Sequence, residues 1–262
     1  MINAALCGDF IKLEPIMFTQ EIFQQLLAPR YLGWLWNGFV VTMSISILCI
    51  ILSTIAGFIL AILAQSQHRI IRYMVNAYNA IFRYSPLLPQ LFFWYFGVGS
   101  ILPLEFKLWL FDEPQIGFGP VILSMPSFEF IIGLVGLTFY SASFVAEEFR
   151  AGIAGVRAGQ LNASLALGLS RWQGFYFIVL PQAWRIAFPA LVGQYMNIIK
   201  NSSLTMSIGV LELSYVSRQI ETETLKTFQD FALATLLYIL GVTLVGMIGN
   251  IYHRSLLLKE VK

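Results

Sequence analysis

The sequence predicts an all-α, polytopic membrane fold with about five transmembrane helices, and three observations carry that reading. The chain is 58% hydrophobic and only 11% charged, with a mean hydropathy of +0.74, whereas soluble domains are roughly 25% charged. Uncharged apolar runs long enough to cross a hydrocarbon core recur along it. Between two of them lies a stretch, residues 159–181, whose Gln160, Asn162, Arg171 and Gln173 make it too polar to cross a bilayer. A net charge of +2 is too small to argue for nucleic acid as a partner.

Residues 1–30 read as an external or interfacial segment. Residues 1–8 carry no Lys or Arg, and Asp9 and Lys12 follow at once, which is not the pattern of a signal peptide. Ile16, Phe23, Leu26 and Leu27 fall near one helical face, so residues 16–27 form either a helix on the membrane surface or a loosely ordered tail. The transmembrane domain is assigned to residues 31–252 and a cytoplasmic tail to 253–262. Its first span, 38–64, is uncharged, with Trp34 and Trp36 placed ahead of it where aromatic rings favour the interface. Residues 65–82 then carry Arg69 and Arg72, with Ile71, Val75, Tyr78 and Phe82 at helical spacing, as in an amphipathic lead-in helix.

The second span is expected over 85–102, with Pro86 and Pro89 in its first turn. Residues 104–127 are acidic and turn-rich, through Glu105, Asp112 and Glu113, and are placed outside. The third span, 128–149, ends in Glu147, Glu148 and Arg150. After the polar loop the chain is expected to re-enter near Phe188 and to break at Lys200, Asn201, Ser202 and Ser203. Gly209 and Glu212 precede a polar outer patch, 217–230, and the last span is 231–252. Arg69, Arg72, Arg83, Arg150, Arg157, Arg171, Arg185, Arg254, Lys259 and Lys262 then lie inside. Lys12, Arg30, Lys107, Arg218 and Lys226 lie outside. This excess places the N-terminus outside and the C-terminus in the cytoplasm.

The polar loop has an internal pattern. Residues 163–169 are good helix formers interrupted by Gly168. A second apolar segment, 172–180, is expected to stop at Pro181. Two short helices with a bend between them make a wedge that a soluble partner can grip.

Here the chain resembles the permease subunits of ABC importers. Their cytoplasmic pattern is Glu-Ala-Ala, three residues, Gly, nine residues, then Ile-x-Leu-Pro. At that spacing stand Asn162-Ala163-Ser164, Gly168 and Ile178-Val179-Leu180-Pro181. FRYSPLLPQLFFWYFG (82–97) and IIKNSSL (198–204) are similar to segments of the polar amino-acid branch, and YLGWLWNGFVVT (31–42) looks like the opening of glutamate/aspartate permeases. Asn162 stands where the family has Glu, and Ser164 where it has its second Ala.

The resemblance implies a type I importer fold in the cell inner membrane. It implies an ATP-binding subunit docked on Gln160, Asn162, Ala163, Ser164, Gly168, Leu169, Ser170 and Arg171, with Arg83, Pro86, Glu148, Arg150 and Pro181 as structural motif residues. It implies a second permease subunit, forming a heterodimer, and a periplasmic or surface substrate-binding protein. No cofactor is expected in this chain, since ATP and Mg would be held by the ATPase. In agreement, the sequence has no Gly-Lys pair for a phosphate-cradling loop and no metal-ligand cluster, so an enzyme is not expected. The expected solute is glutamate or aspartate, with glutamine or a basic amino acid open. An ion-coupled carrier is the alternative, against which five spans cannot divide into two equal repeats. Lys200, with Asn201 and Ser202, either lines the solute path or fixes the two permease halves through an ion pair or helix-end carbonyls, with Glu148 as one candidate partner.

Overall fold

The computed structural model describes residues 28–111, 115–118, 121–124 and 126–258; the segment 16–27 lies outside them. Helix α1, Pro29–Leu63, starts on a proline in its first turn, where the missing N–H costs nothing. It is apolar all round. Ile47, Ile51, Ile55 and Ile59 are exposed, as on a lipid-facing side. The opposite side is a stripe of small residues, Gly38, Ser46, Ser53, Gly57 and Ala61, all buried. Such stripes let helices approach closely in a bilayer.

Helix α2, Arg69–Tyr84, buries Val75 and sets Tyr78 and Phe82 against Phe139. Helix α3, Leu87–Ile101, contains a π-helical stretch at Phe93–Val98. After α4, Leu104–Phe111, strands β1, Gln115–Phe118, and β2, Val121–Ser124, form an antiparallel hairpin. The segment expected to be turn-rich therefore holds a helix and a hairpin. Helix α5, Phe128–Gly155, is capped by Ser127, whose Oγ accepts from Phe130 N. It runs past the expected end at 149, so Glu147, Glu148 and Arg150 sit within the helix rather than at its tip.

Helix α6, Ala158–Ala166, is followed by α7, Arg171–Ile208, which contains a π stretch at Phe175–Val179 and tightens to a 3-10 turn over Ser203–Ile208. Two expectations are corrected here. Pro181 does not end a helix, and the helix that carries the span expected from Phe188 starts earlier, at Arg171. Pro181 stands two residues past the end of the π stretch, whose wider turn already departs from the hydrogen-bond ladder a proline would break. The expected break beyond Lys200 takes the form of that 3-10 turn, closed by Gly209 at φ +95°. Within the polar patch expected outside, helix α8, Leu213–Thr224, is capped by buried Glu212. It packs on α1 and on the last helix, α9, Thr227–Leu258. The Glu212 carboxylate accepts from Tyr215 N, Thr42 Oγ1 and Tyr238 Oη, tying α1, α8 and α9 together.

α1, α5, α7 and α9 are long and apolar enough to cross a membrane. α3 is a shorter apolar helix, and α2 and α3 together follow α5 from Asn79 beside Glu147 to Gly99 beside Phe128. The core lies between α1, α5 and α7. A methyl group added at Gly57 would stand 2.6 Å from Val145 Cγ1, and one at Gly152 would stand 2.6 Å from the Ala183 carbonyl oxygen. These glycines set how closely α5 approaches its neighbours.

Candidate functional site

The first feature is the turn joining α6 to α7. Gly168 is left-handed at φ +85°, its N–H reaches Leu165 O at 3.0 Å, and Leu169 N reaches Ser164 O at 3.1 Å. Those two bonds are a Schellman ending, which favours glycine at this position. Two residues on, Ser170 and Gln173 form a capping box. Gln173 N donates to Ser170 Oγ at 3.3 Å, and Ser170 N donates to Gln173 Oε1 at 2.8 Å. The bend is therefore fixed at both ends. Ser164, only 3% exposed, packs against Gly174, which explains a small residue at that place in the motif. Gln160, Asn162, Ala163, Gly168, Ser170 and Arg171 are exposed, and Leu169 is half-buried. Leu167 and Trp172 project apolar surface at 84% and 63% exposure.

The second feature is a polar cavity of about 310 Å³ between α5 and α7, lined by Tyr140, Ser141, Phe144, Gln194, Asn197, Ile198 and Asn201. Gln194 Nε2 donates to Glu148 Oε1 at 2.9 Å, which couples the cavity wall to α5. Of the three residues expected on a solute path, Asn201 alone lines the cavity. Ser202 is buried and donates to Ile199 O at 2.7 Å. Lys200 is exposed, about 100° around the helix from Asn201. Glu148, one candidate partner for it, accepts from Gln194. The groups not anticipated are Gln194, Asn197, Tyr140 and Ser141. Gln194, Asn197 and Asn201 stand at i, i+3 and i+7, so their helical spacing was the available signal.

Beside the cavity, Arg83 stands 3.5 Å from Glu147 and 5.5 Å over the Phe144 ring, and Arg150 meets Glu147 at 2.6 Å. Pro86 precedes α3, and Gln90 Nε2 bonds Phe82 O and Ser85 Oγ across the break between α2 and α3.

The family described as the binding-protein-dependent transport system inner membrane component matches residues 26–257. The chain belongs to this family. The permease is 30% identical over 227 residues to the glutamate/aspartate import permease protein GltJ of Escherichia coli (strain K12), covering 86% of this chain and 88% of GltJ. It is 28% identical to the putative glutamine transport system permease protein GlnP of Rickettsia felis, covering 84% of this chain and 92% of GlnP. Among solved structures, an amino acid ABC transporter crystallised with histidines superposes with a TM-score of 0.73 at 22% identity, covering 90% of this chain and 99% of that one. An inward-facing MetNI methionine ABC transporter superposes at 0.65 and 18% identity, covering 88% and 99%. At these identities the structural likeness is one of fold. The permease is thus a multi-pass transport component rather than an enzyme. Its family implies an ATPase that hydrolyses ATP in a separate subunit, and a substrate-binding protein.

Proposed function

We propose that the permease is one half of the membrane path of an ATP-driven importer of polar amino acids. The observation that carries this reading is the joint placement of two features on α5 and α7. A rigid wedge with exposed Leu167 and Trp172 stands at one end, and a cavity of amide and hydroxyl groups lies between the same helices. The wedge docks into a separate ATPase, which holds ATP and Mg. Closure of that ATPase tilts α5 and α7 together and changes access to the cavity, a coupling of two global states. A second, different permease chain faces this one, and a binding protein delivers solute from outside.

Glutamate or aspartate is the proposed solute. The likeness to GltJ and the 31–42 segment support it. Glutamine is the second reading, favoured by an amide-rich wall and by the likeness to GlnP. Uptake of labelled glutamate, aspartate, glutamine and arginine by the reconstituted complex decides between them. Uptake driven by an ion gradient without ATP would defeat the ABC reading.

The wedge is proposed to face the cytoplasm, with the N-terminus outside. In a Cys7→Ser background, Glu105→Cys should react in intact cells with a membrane-impermeant thiol reagent, and Arg157→Cys should not. The reverse pattern would overturn the orientation and the docking role with it.

A further inference from the structure

A second cavity, of about 650 Å³, lies between α1 and α7 and is lined in part by Thr54, Phe58, Phe149, Tyr176, Trp184 and Arg185. Its wall is largely aromatic. Phe58 meets Phe149 at 5.3 Å between ring centroids, and Phe149 meets Trp184 at 5.7 Å. At the inner end Thr54 Oγ1 meets Ile50 O at 2.6 Å and Tyr195 Oη at 2.9 Å, so that hydroxyl is engaged within the protein. Arg185 is the only charged residue among the described residues of the lining.

Two placements decide what this cavity faces. Gln194 lines the polar cavity and stands nine positions after Arg185, about two and a half helical turns away. The two cavities therefore open on opposite faces of α7, and a second permease chain across the solute path would not cover this one. Ile55, in its wall, belongs to the exposed stripe of α1 with Ile51 and Ile59. The cavity is a recess in the lipid-facing surface.

The recess is also polarised along the membrane normal. A Cβ at Gly155, the last residue of α5, would meet Ile186 at 3.1 Å, so Arg185 sits level with the loop end of α5. Thr54 stands nine residues before Leu63, the end of α1, and so about 14 Å deeper. An Arg stem can line an apolar wall while its guanidinium reaches the surface. Arg185 has an interaction within the chain, and five N–H donors allow it to hold a phosphate as well. The cytoplasmic leaflet carries anionic lipids, and basic pockets between membrane helices on that side bind their headgroups.

We propose that this recess holds one acyl chain of an anionic phospholipid of the inner leaflet, with the phosphate on Arg185. The choice of leaflet rests on the wedge facing the cytoplasm, which the cysteine-labelling experiment tests separately.

The test uses the whole complex in phosphatidylcholine nanodiscs, where both leaflets are present and the result is independent of orientation. A trace of phosphatidylglycerol, or of phosphatidylcholine, carries a photoreactive group midway along one acyl chain, and labelled residues are located by mass spectrometry. The phosphatidylglycerol probe should label the Thr54–Phe58 and Tyr176–Trp184 segments about fivefold more than the phosphatidylcholine probe. Both probes should label the exposed Leu244 and Ile248 of α9 equally. Arg185→Gln should lower labelling of the recess by phosphatidylglycerol to the phosphatidylcholine level. Ile55→Trp, which sets an indole in the recess, should lose recess labelling from both probes and keep that of α9. If Arg185→Gln does not assemble, the ratio of the two probes in the unaltered complex, together with Ile55→Trp, still decides. Equal labelling of the recess by both probes overturns the anionic site and leaves an ordinary lipid contact. Absence of recess labelling while α9 is labelled overturns it too, and shows that protein covers the recess. Neither result touches the importer reading, since the measurement needs no solute or nucleotide.

Discussion

The wedge and the first cavity share α5 and α7 but are held in different ways. The wedge is fixed by hydrogen bonds between residues five or fewer positions apart, as from Leu169 N to Ser164 O and within the Ser170–Gln173 box. The cavity is fixed by contacts between distant residues, as from Gln194 to Glu148, 46 positions away, and by the approach of Gly152 to Ala183. A device that must keep its shape while gripping another chain benefits from local bonds. A cavity that must open and close benefits from walls that belong to separate helices.

The largest effect should come where both regions depend on one contact. Gly152→Val would drive a side chain into the Ala183 carbonyl and push α5 from α7, at a cost of about 1–3 kcal/mol or more. Thermal unfolding should shift down, and uptake and ATPase association should fail together. Loss of uptake alone would show that the two regions are less coupled than their shared helices imply.

Gln194→Leu should separate them. It removes the donor to Glu148 and leaves that carboxylate short of a partner, a cost of about 1–3 kcal/mol. Uptake should fall by about tenfold or more, about 1.4 kcal/mol or more in transition-state terms, while the ATPase still co-purifies. Ser170→Ala works on the opposite side of the comparison. It removes the capping box at a cost of about 1 kcal/mol. Substrate-stimulated ATP hydrolysis should weaken, and amino-acid binding should stay unchanged. Asn162→Glu should have the smallest effect, because Asn162 is exposed and accommodates the family's carboxylate; unchanged uptake and hydrolysis would confirm this.

The same contrast explains what the sequence made legible. The spans, the amphipathic α2 and the helix–bend–helix loop follow from periodicity, glycine and hydrophobicity, all properties of short stretches. Pro181 misled because its effect depends on the π stretch before it, which composition does not announce. Lys200 drew attention as a charge in an apolar run, whereas Gln194, Asn197 and Asn201 make the wall through a helical stripe meeting Tyr140 and Ser141 of α5. Glu212 read only as a residue preceding the outer patch, because its partners Thr42 and Tyr238 come from α1 and α9. Which polar residues meet across helices is a property of packing.

The most direct test of the central claim, that the α6–α7 wedge is the ATPase-docking element, compares Gly168→Trp with Gly168→Ala. Nothing stands within 4 Å of a Cβ at Gly168, and φ +85° strains both side chains alike, by about 1 kcal/mol or more. Both variants should insert in the membrane with similar thermal midpoints. Gly168→Trp should lose ATPase co-purification and substrate-stimulated hydrolysis, while Gly168→Ala retains most of both. Normal stimulated hydrolysis in Gly168→Trp would contradict the docking role.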